Sequence, residues 1–202
     1  MLFDHLCWLV PSAERTTAWL RAEHGLGSEP GAYFATHGTR HHNVPLAPPQ
    51  LLEVAEVTGT AGAWTAHCLE VGIPVVGWAV LVEDLEAVAA ARGLLVKDFT
   101  VEQPDGTLRG WRSASGPPHL PFFLDYPRNG DRDGRIRDMA ERVGHTTAPG
   151  LVTRLQLEQD AAELDAWLGP HTLPLDVRPG SRGLVAVDVD GVGTIDLVAG
   201  RG

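Results

Sequence analysis

The feature that most limits what this chain can become is a unit that recurs along it. An apolar strand is followed by a capping residue, a short helix and a glycine stop. The caps Ser12 and Asp84 lie 72 residues apart, and Asp84 and Asp160 lie 76 apart. Serine and aspartate accept hydrogen bonds from the free amides of a first helical turn, and glycine takes the left-handed turn that ends a helix. A spacing this long exceeds that of solenoid repeats and suits a βαβββ module. One such module cannot bury both its helix and its sheet, so two are expected to pack together. The spacing predicts an α+β domain over residues 1–128, with modules at 1–58 and 74–128. Residues 129–202 add a helix and a strand-helix-strand-strand half-module, shorter by one strand and packed on the same domain.

Within the first unit, residues 2–10 alternate as a strand, with Leu6, Trp8 and Val10 on one face and His5, Cys7 and Leu9 on the other. Ser12 starts a helix that Gly25 or Gly27 ends. Strands are expected near 33–36, 41–46 and 51–57, with Pro48-Pro49 as the turn before the last. A short helix capped by Thr60 should bury Trp64, His67 or Cys68, and Val71, and close at Gly72. The second unit reads as a strand over 75–82, a helix from Asp84 to Gly93, and strands over 94–101, 108–113 and 120–126. Asp105-Gly106 makes a hairpin turn between the first two of these. A helix over 131–143 turns Ile136, Met139 and Val143 inward. The third unit has a strand over 151–157, a helix opened by the Asp160/Glu163 box, and strands over 184–189 and 194–198.

Charge removes several classes of function. The sequence has 26 acidic residues against 16 Lys and Arg, a net charge of −10. That balance disfavours nucleic acid and anionic membrane surfaces as partners. The arginines at 132, 135, 137 and 142 are interleaved with acids, as on a solvated helix face. Cys7 and Cys68 stand in apolar segments without metal spacing, as buried thiols in a reducing compartment do. The start carries Asp4 and His5 where a secretory leader has positive charge, which points to a cytoplasmic protein. No G-x-S-x-G, P-loop or H-E-x-x-H string occurs. Gly191-Val192-Gly193 joins two strands, so no nucleotide cofactor is expected.

Several strings resemble a known family. Phe3-Asp4-His5-Leu6, Gly38-Thr39-Arg40 and Leu51-Leu52-Glu53-Val54 are similar to the glyoxalase-like branch of the vicinal oxygen chelate superfamily. Gly77-Trp78-Ala79-Val80, Asp105-Gly106, Trp111-Arg112 and Leu120-Pro121-Phe122-Phe123 resemble its second module. The resemblance spans residues 3–126 in order. It implies paired βαβββ modules whose mixed sheet curls into a cup around one divalent metal ion, which substrate oxygens chelate. It also implies a small-molecule ligand. Members build the cup within one chain or across a dimer, so a homodimer is one of two expectations.

On that resemblance His5 and Glu53 are the candidate metal ligands, and ligand type alone leaves the ion open. Glu53 is also the candidate proton-transfer group, since a carboxylate inside an apolar strand requires a partner. Leu9 aligns with Leu81, so His5 aligns with Gly77 and the second module offers no ligand from its first strand. Direct alignment puts Phe123 opposite Glu53. Asp125 lies two residues further on that face and is the candidate third ligand, ahead of His119. Arg40, His41, Asn43, Arg109, Trp111 and Phe123 are candidate substrate contacts, the arginines for a carboxylate. His41 stands where the family pattern has asparagine. Two readings stay open: a metal-dependent lyase, isomerase or dioxygenase acting on a small polar metabolite, or a metal-free protein that sequesters a small molecule. In the second, His5 and Glu53 are satisfied by hydrogen bonds instead of an ion.

Overall fold

The computed structural model describes residues 1–35, 37–126 and 131–201. The first unit runs β1 (Leu2–Val10), α1 (Ala13–His24), β2 (Glu29–Phe34), β3 (Thr39–Pro45) and β4 (Leu51–Val57). The second runs β5 (Val75–Leu81), α3 (Leu85–Arg92), β6 (Val96–Glu102), β7 (Leu108–Ala114) and β8 (Phe122–Asp125), and α2 (Ala63–Val71) joins the two. Together they make one eight-stranded mixed sheet in the order β2-β3-β4-β1-β5-β8-β7-β6. This is the paired-module cup that the sequence predicts. The modules meet at an antiparallel β1–β5 seam, and the sheet curls until the edge strands β2 and β6 approach each other.

The expected caps hold two of the helices of these units. Ser12 Oγ accepts from the Arg15 amide, and Asp84 Oδ1 accepts from the Ala87 amide at 2.8 Å. Gly25 closes α1 at φ 70°, a region where a Cβ is penalised. Gly38, at φ 65°, has the Thr60 carbonyl oxygen 2.2 Å from where a Cβ would stand, so the Gly38-Thr39 corner requires glycine. Helix α2 differs from expectation. Its N-cap is Gly62, not Thr60, and it buries Thr65 and Cys68 while Val71 is exposed. Strand β2 begins earlier than expected, at Glu29. Thr36, the expected end of that strand, lies outside the described residues.

The third unit departs in topology. After α4 (Arg132–Val143) come β9 (Val152–Glu158), α5 (Ala161–Leu168), β10 (Leu175–Arg178), β11 (Gly183–Val189) and β12 (Gly193–Asp196). Strand β10 was not expected, so the element count equals a full βαβββ. The pairing does not. The order is β10-β9-β11-β12, with β10 parallel to β9, whereas the first unit places its opening strand at the end of the row. The recurring string therefore reports two copies of one module and one unrelated arrangement of similar elements. The boundary expected at 128–129 falls on residues outside the described set.

One hydrophobic cluster runs through both sheets. Leu6, Trp8, Val10, Leu52, Val54 and Val80 share it with Leu155, Leu157, Leu164 and Val187. The second sheet thus covers the convex side of the cup. The Trp8 indole nitrogen donates to the Leu197 carbonyl at 2.8 Å, and the Trp167 nitrogen donates to the Pro121 carbonyl at 2.8 Å. Trp8 is fully buried and Trp167 half-buried, each with its polar atom satisfied. Trp167 also stacks on Phe123 and presses against Gly116, where a Cβ would lie 2.2 Å from the ring.

Candidate active site

With alternate residues of β1, β5 and β8 committed to the core, the others face a cavity of about 530 Å³ inside the cup. This volume suits a drug-sized ligand. Walls of Phe34, Trp64, Phe99, Trp111 and Phe122 make it largely apolar. Phe99 and Trp111 stack with ring centroids 5.4 Å apart, and Phe34 meets Trp111 edge-on at 6.3 Å. That last contact ties β2 to β7 across the gap between the edge strands.

The candidate metal donors collect on the first module's side. His5 and Cys7 on β1 and Glu53 on β4 offer a ring nitrogen, a sulfur and a carboxylate oxygen, all within 4.8 Å of one another. Parallel pairing places Cys7 beside Glu53, and the two-residue step along β1 brings His5 to the same face. His5 Nδ1 bonds Asp4 Oδ2 at 2.6 Å. Asp4 is wholly buried and also receives Arg132 Nη2 at 2.7 Å and the Tyr126 hydroxyl at 3.1 Å. A β-bulge between Phe3 and His5 lets Phe3 join the core while Asp4 and His5 enter one polar network.

Glu53 Oε2 accepts from His41 Nδ1 at 2.9 Å and from the Cys7 thiol at 3.4 Å, and the Thr39 hydroxyl bonds His41 Nε2 at 3.1 Å. Burial alone would raise the Glu53 pKa. The positive character of His5, the His41 hydrogen bond and charge, and the Arg109 guanidinium outweigh it and hold the carboxyl well below its usual range. Cys7 moves the other way: burial, reinforced by the Glu53 and Asp4 charges, pushes its thiol well above the usual value.

Of the residues expected at the site, the structure brings together His5, His41, Asn43, Glu53, Arg109 and Trp111. It does not bring Arg40, Phe123 or Asp125 to them. Arg40 is exposed on β3. Phe123 is buried on the convex face against Trp167. Asp125 is gripped by Arg112, with Nε 2.9 Å from Oδ1, and Arg112 also holds Glu86. His119 pairs with Glu163 instead. The reason is a single step of register. His5 pairs with Ala79 and Cys7 with Gly77, a register compatible with the 72-residue cap spacing that carries His5 onto Gly77 and Cys7 onto Ala79. Ala79 in turn pairs with Phe122, so Phe122 and not Phe123 holds the place of Glu53. A shift of one residue sends every side chain on the strand to the other face. Cys7, Asp4, Tyr126 and Arg132 were not expected at the site. Only Cys7 had a signal, its even spacing from His5.

The match with the glyoxalase-like domain extends over residues 3–170. The chain belongs to that family. No curated protein matches it. Among solved structures, methylmalonyl-CoA epimerase from Mycobacterium tuberculosis is similar at 11% identity and TM-score 0.47, over 60% of this chain and 84% of that one. A Streptomyces coelicolor methylmalonyl-CoA epimerase variant in complex with 2-nitronate-propionyl-CoA is similar at 16% identity and TM-score 0.47, over 62% and 94%. A hypothetical protein from Bacillus halodurans is similar at 12% identity and TM-score 0.48, over 64% and 96%.

Among the described residues no helix is long and apolar enough to cross a membrane.

Proposed function

We propose that this glyoxalase-like protein is a small-molecule enzyme whose cup holds a divalent metal on His5, Cys7 and Glu53. The observation that carries this reading is the triangle of three different donors at one spot of the cavity wall. The donor set fits a divalent ion of the zinc type. His5 is oriented through Nδ1 by a carboxylate, as metal-binding histidines are, and three protein ligands leave a position open for substrate. When bound, the ion supplies Lewis-acid polarisation of a substrate oxygen. Asp125, paired with Arg112, is not part of the proposed ligand set.

The proton work falls to His41 and Glu53 as a pair. A carboxylate held this far into its ionised form is a weak base on its own. Hydrogen bonded to His41, it can pass a proton between the cavity and the imidazole. The aromatic walls exclude water and hold the apolar part of the substrate. The reaction class is then a proton transfer next to a carbonyl, as an isomerase or lyase performs.

A second reading is favoured by one observation. Gly77, Ala79 and Phe122 occupy the second module's counterparts of His5, Cys7 and Glu53, so no donor comes from that side. A metal-free sequestering protein would show this pattern, with Glu53 satisfied by His41. Metal analysis of protein purified without chelators or an affinity tag separates the two. One ion per chain, lost in His5→Ala and Glu53→Gln, supports the enzyme reading. Metal-free protein that binds apolar ligands equally well in both variants overturns it.

A further inference from the structure

The second module's part of the cavity lining carries polar atoms that the metal reading does not use. Arg109 on β7 and Gln103, which follows β6, both line the cavity, together with Val101. Val101 pairs directly with Arg109, and the Gln103 amide is pinned to the Thr107 carbonyl at 2.8 Å. Gln103 and Arg109 are therefore diagonal neighbours on one face of the hairpin, a spacing that long side chains bridge.

Arg109 Nε and Gln103 Nε2 are both buried and without a hydrogen-bond partner. Both atoms are donors only. Among the described residues no carboxylate lies within ion-pair distance of Arg109, whereas Arg112, Arg132, Arg142 and Arg182 each have one. Burial alone would lower the Arg109 pKa, but Tyr126 and Glu53 raise it, so the guanidinium keeps its charge. Arg109 is also the single Arg or Lys among the described lining residues, and Glu53 the single carboxylate. Arg109 also bonds the Tyr126 hydroxyl, but two buried donor atoms on half-buried side chains in one cavity wall remain unmet and call for an acceptor that the chain does not supply.

We propose that Gln103 and Arg109 form a carboxylate-binding subsite, and that the molecule taken by the cup is an apolar or aromatic carboxylate. Its body lies against Phe34, Phe99 and Trp111, its carboxylate accepts from Arg109 Nε and Gln103 Nε2, and its other end points to the His5–Cys7–Glu53 wall. The assignment deepens the enzyme reading above and rests on the cavity being its substrate site. It does not require that a metal be bound.

The test compares 3-phenylpropanoate with 3-phenylpropanamide, by calorimetry and tryptophan fluorescence, on chelator-treated and on zinc-loaded protein. The acid is expected to bind the chelator-treated protein about tenfold or more tightly than the amide, as charge-assisted bonds to a buried guanidinium imply. Arg109→Met should abolish that preference and Gln103→Leu should reduce it, with circular dichroism showing both variants folded. A preference that survives both substitutions but vanishes with the metal, or in Glu53→Gln, puts the carboxylate on the ion; it overturns the subsite and leaves the enzyme reading standing. Equal binding of acid and amide, or binding of neither, overturns the subsite outright. A preference that persists in protein unable to bind zinc supports the subsite even as the metal reading fails.

Discussion

The two halves of the cup share a backbone plan and differ in almost every residue that faces the cavity. In the first module, the β1–β4 pair presents a histidine, a thiol and a carboxylate. In the second, the corresponding places on β5 and β8 hold Gly77, Ala79 and Phe122. The second module's polar lining includes Arg109 and Ser113 on β7, Gln103 just after β6, and Tyr126 just after β8. The first module thus supplies the electron-pair donors His5, Cys7 and Glu53, and the second supplies the hydrogen-bond donors Arg109 and Gln103. A symmetric cup would place ligands from both modules around one central ion. This one has its candidate metal donors on the first module alone.

The largest expected effect comes from the ligand wall. His5→Ala and Glu53→Gln should each remove metal binding, while Phe122→Leu, which trims the ring set edge-on to His5 but removes no donor, should leave it intact; a titration of chelator-treated protein reads both. Next comes the support behind His5. Asp4→Asn strands the buried Arg132 without its carboxylate, which should cost about 3–5 kcal/mol in urea unfolding, as broken buried pairs do. The counterpart ion pair of the second half, Asp125 with Arg112, is more open to water. Asp125→Asn should shift the unfolding midpoint far less. Similar losses from the two variants would show that the halves are supported alike.

A pH series sharpens the contrast. The folded-state pKa of Glu53 lies below its unfolded value near 4.5, so its stabilising contribution is complete above about pH 4.5 and is lost as the pH falls further. Metal-free protein should lose stability on acidification below that point, and Glu53→Gln should flatten this part of the curve. Cys7 acts at the other end. Its folded pKa is raised above 9.0, so its contribution is complete below that pH and is lost as the pH rises beyond it. Smallest of all is Gly77→Ala. Its Cβ would meet Phe122 at 3.5 Å, an ordinary contact, so the change in stability should stay within about 1 kcal/mol.

Much of the frame was legible because it is written in local chemistry. The caps at Ser12, Asp84 and Asp160, and the closing glycines 25, 72 and 93, act within a few residues of themselves. Strand order is not local, and the third unit shows the cost of treating it so. Leu175–Arg178 is only four residues long, and nothing in it announces a parallel pairing with β9. The site divided in the same way. His5 and Glu53 stood out as polar residues in apolar strands, whereas the choice between Phe122 and Phe123 needed the β5–β8 register. Cys7 lacked a second cysteine at metal spacing, and its neighbour in space, Glu53, is set by strand pairing alone. Arg132 read as one more charge on a solvated helix; only the docking of α4 shows that it is buried against Asp4.

The proposed ion sits on one wall of the cup, with a cysteine among its ligands. Cobalt(II) reports this directly, since a thiolate ligand gives an intense sulfur-to-metal charge-transfer band. The account predicts that band at one cobalt per chain, its loss in Cys7→Ser, and displacement of the cobalt by zinc. Failure of the protein to retain cobalt, or an unchanged spectrum in Cys7→Ser, would contradict it.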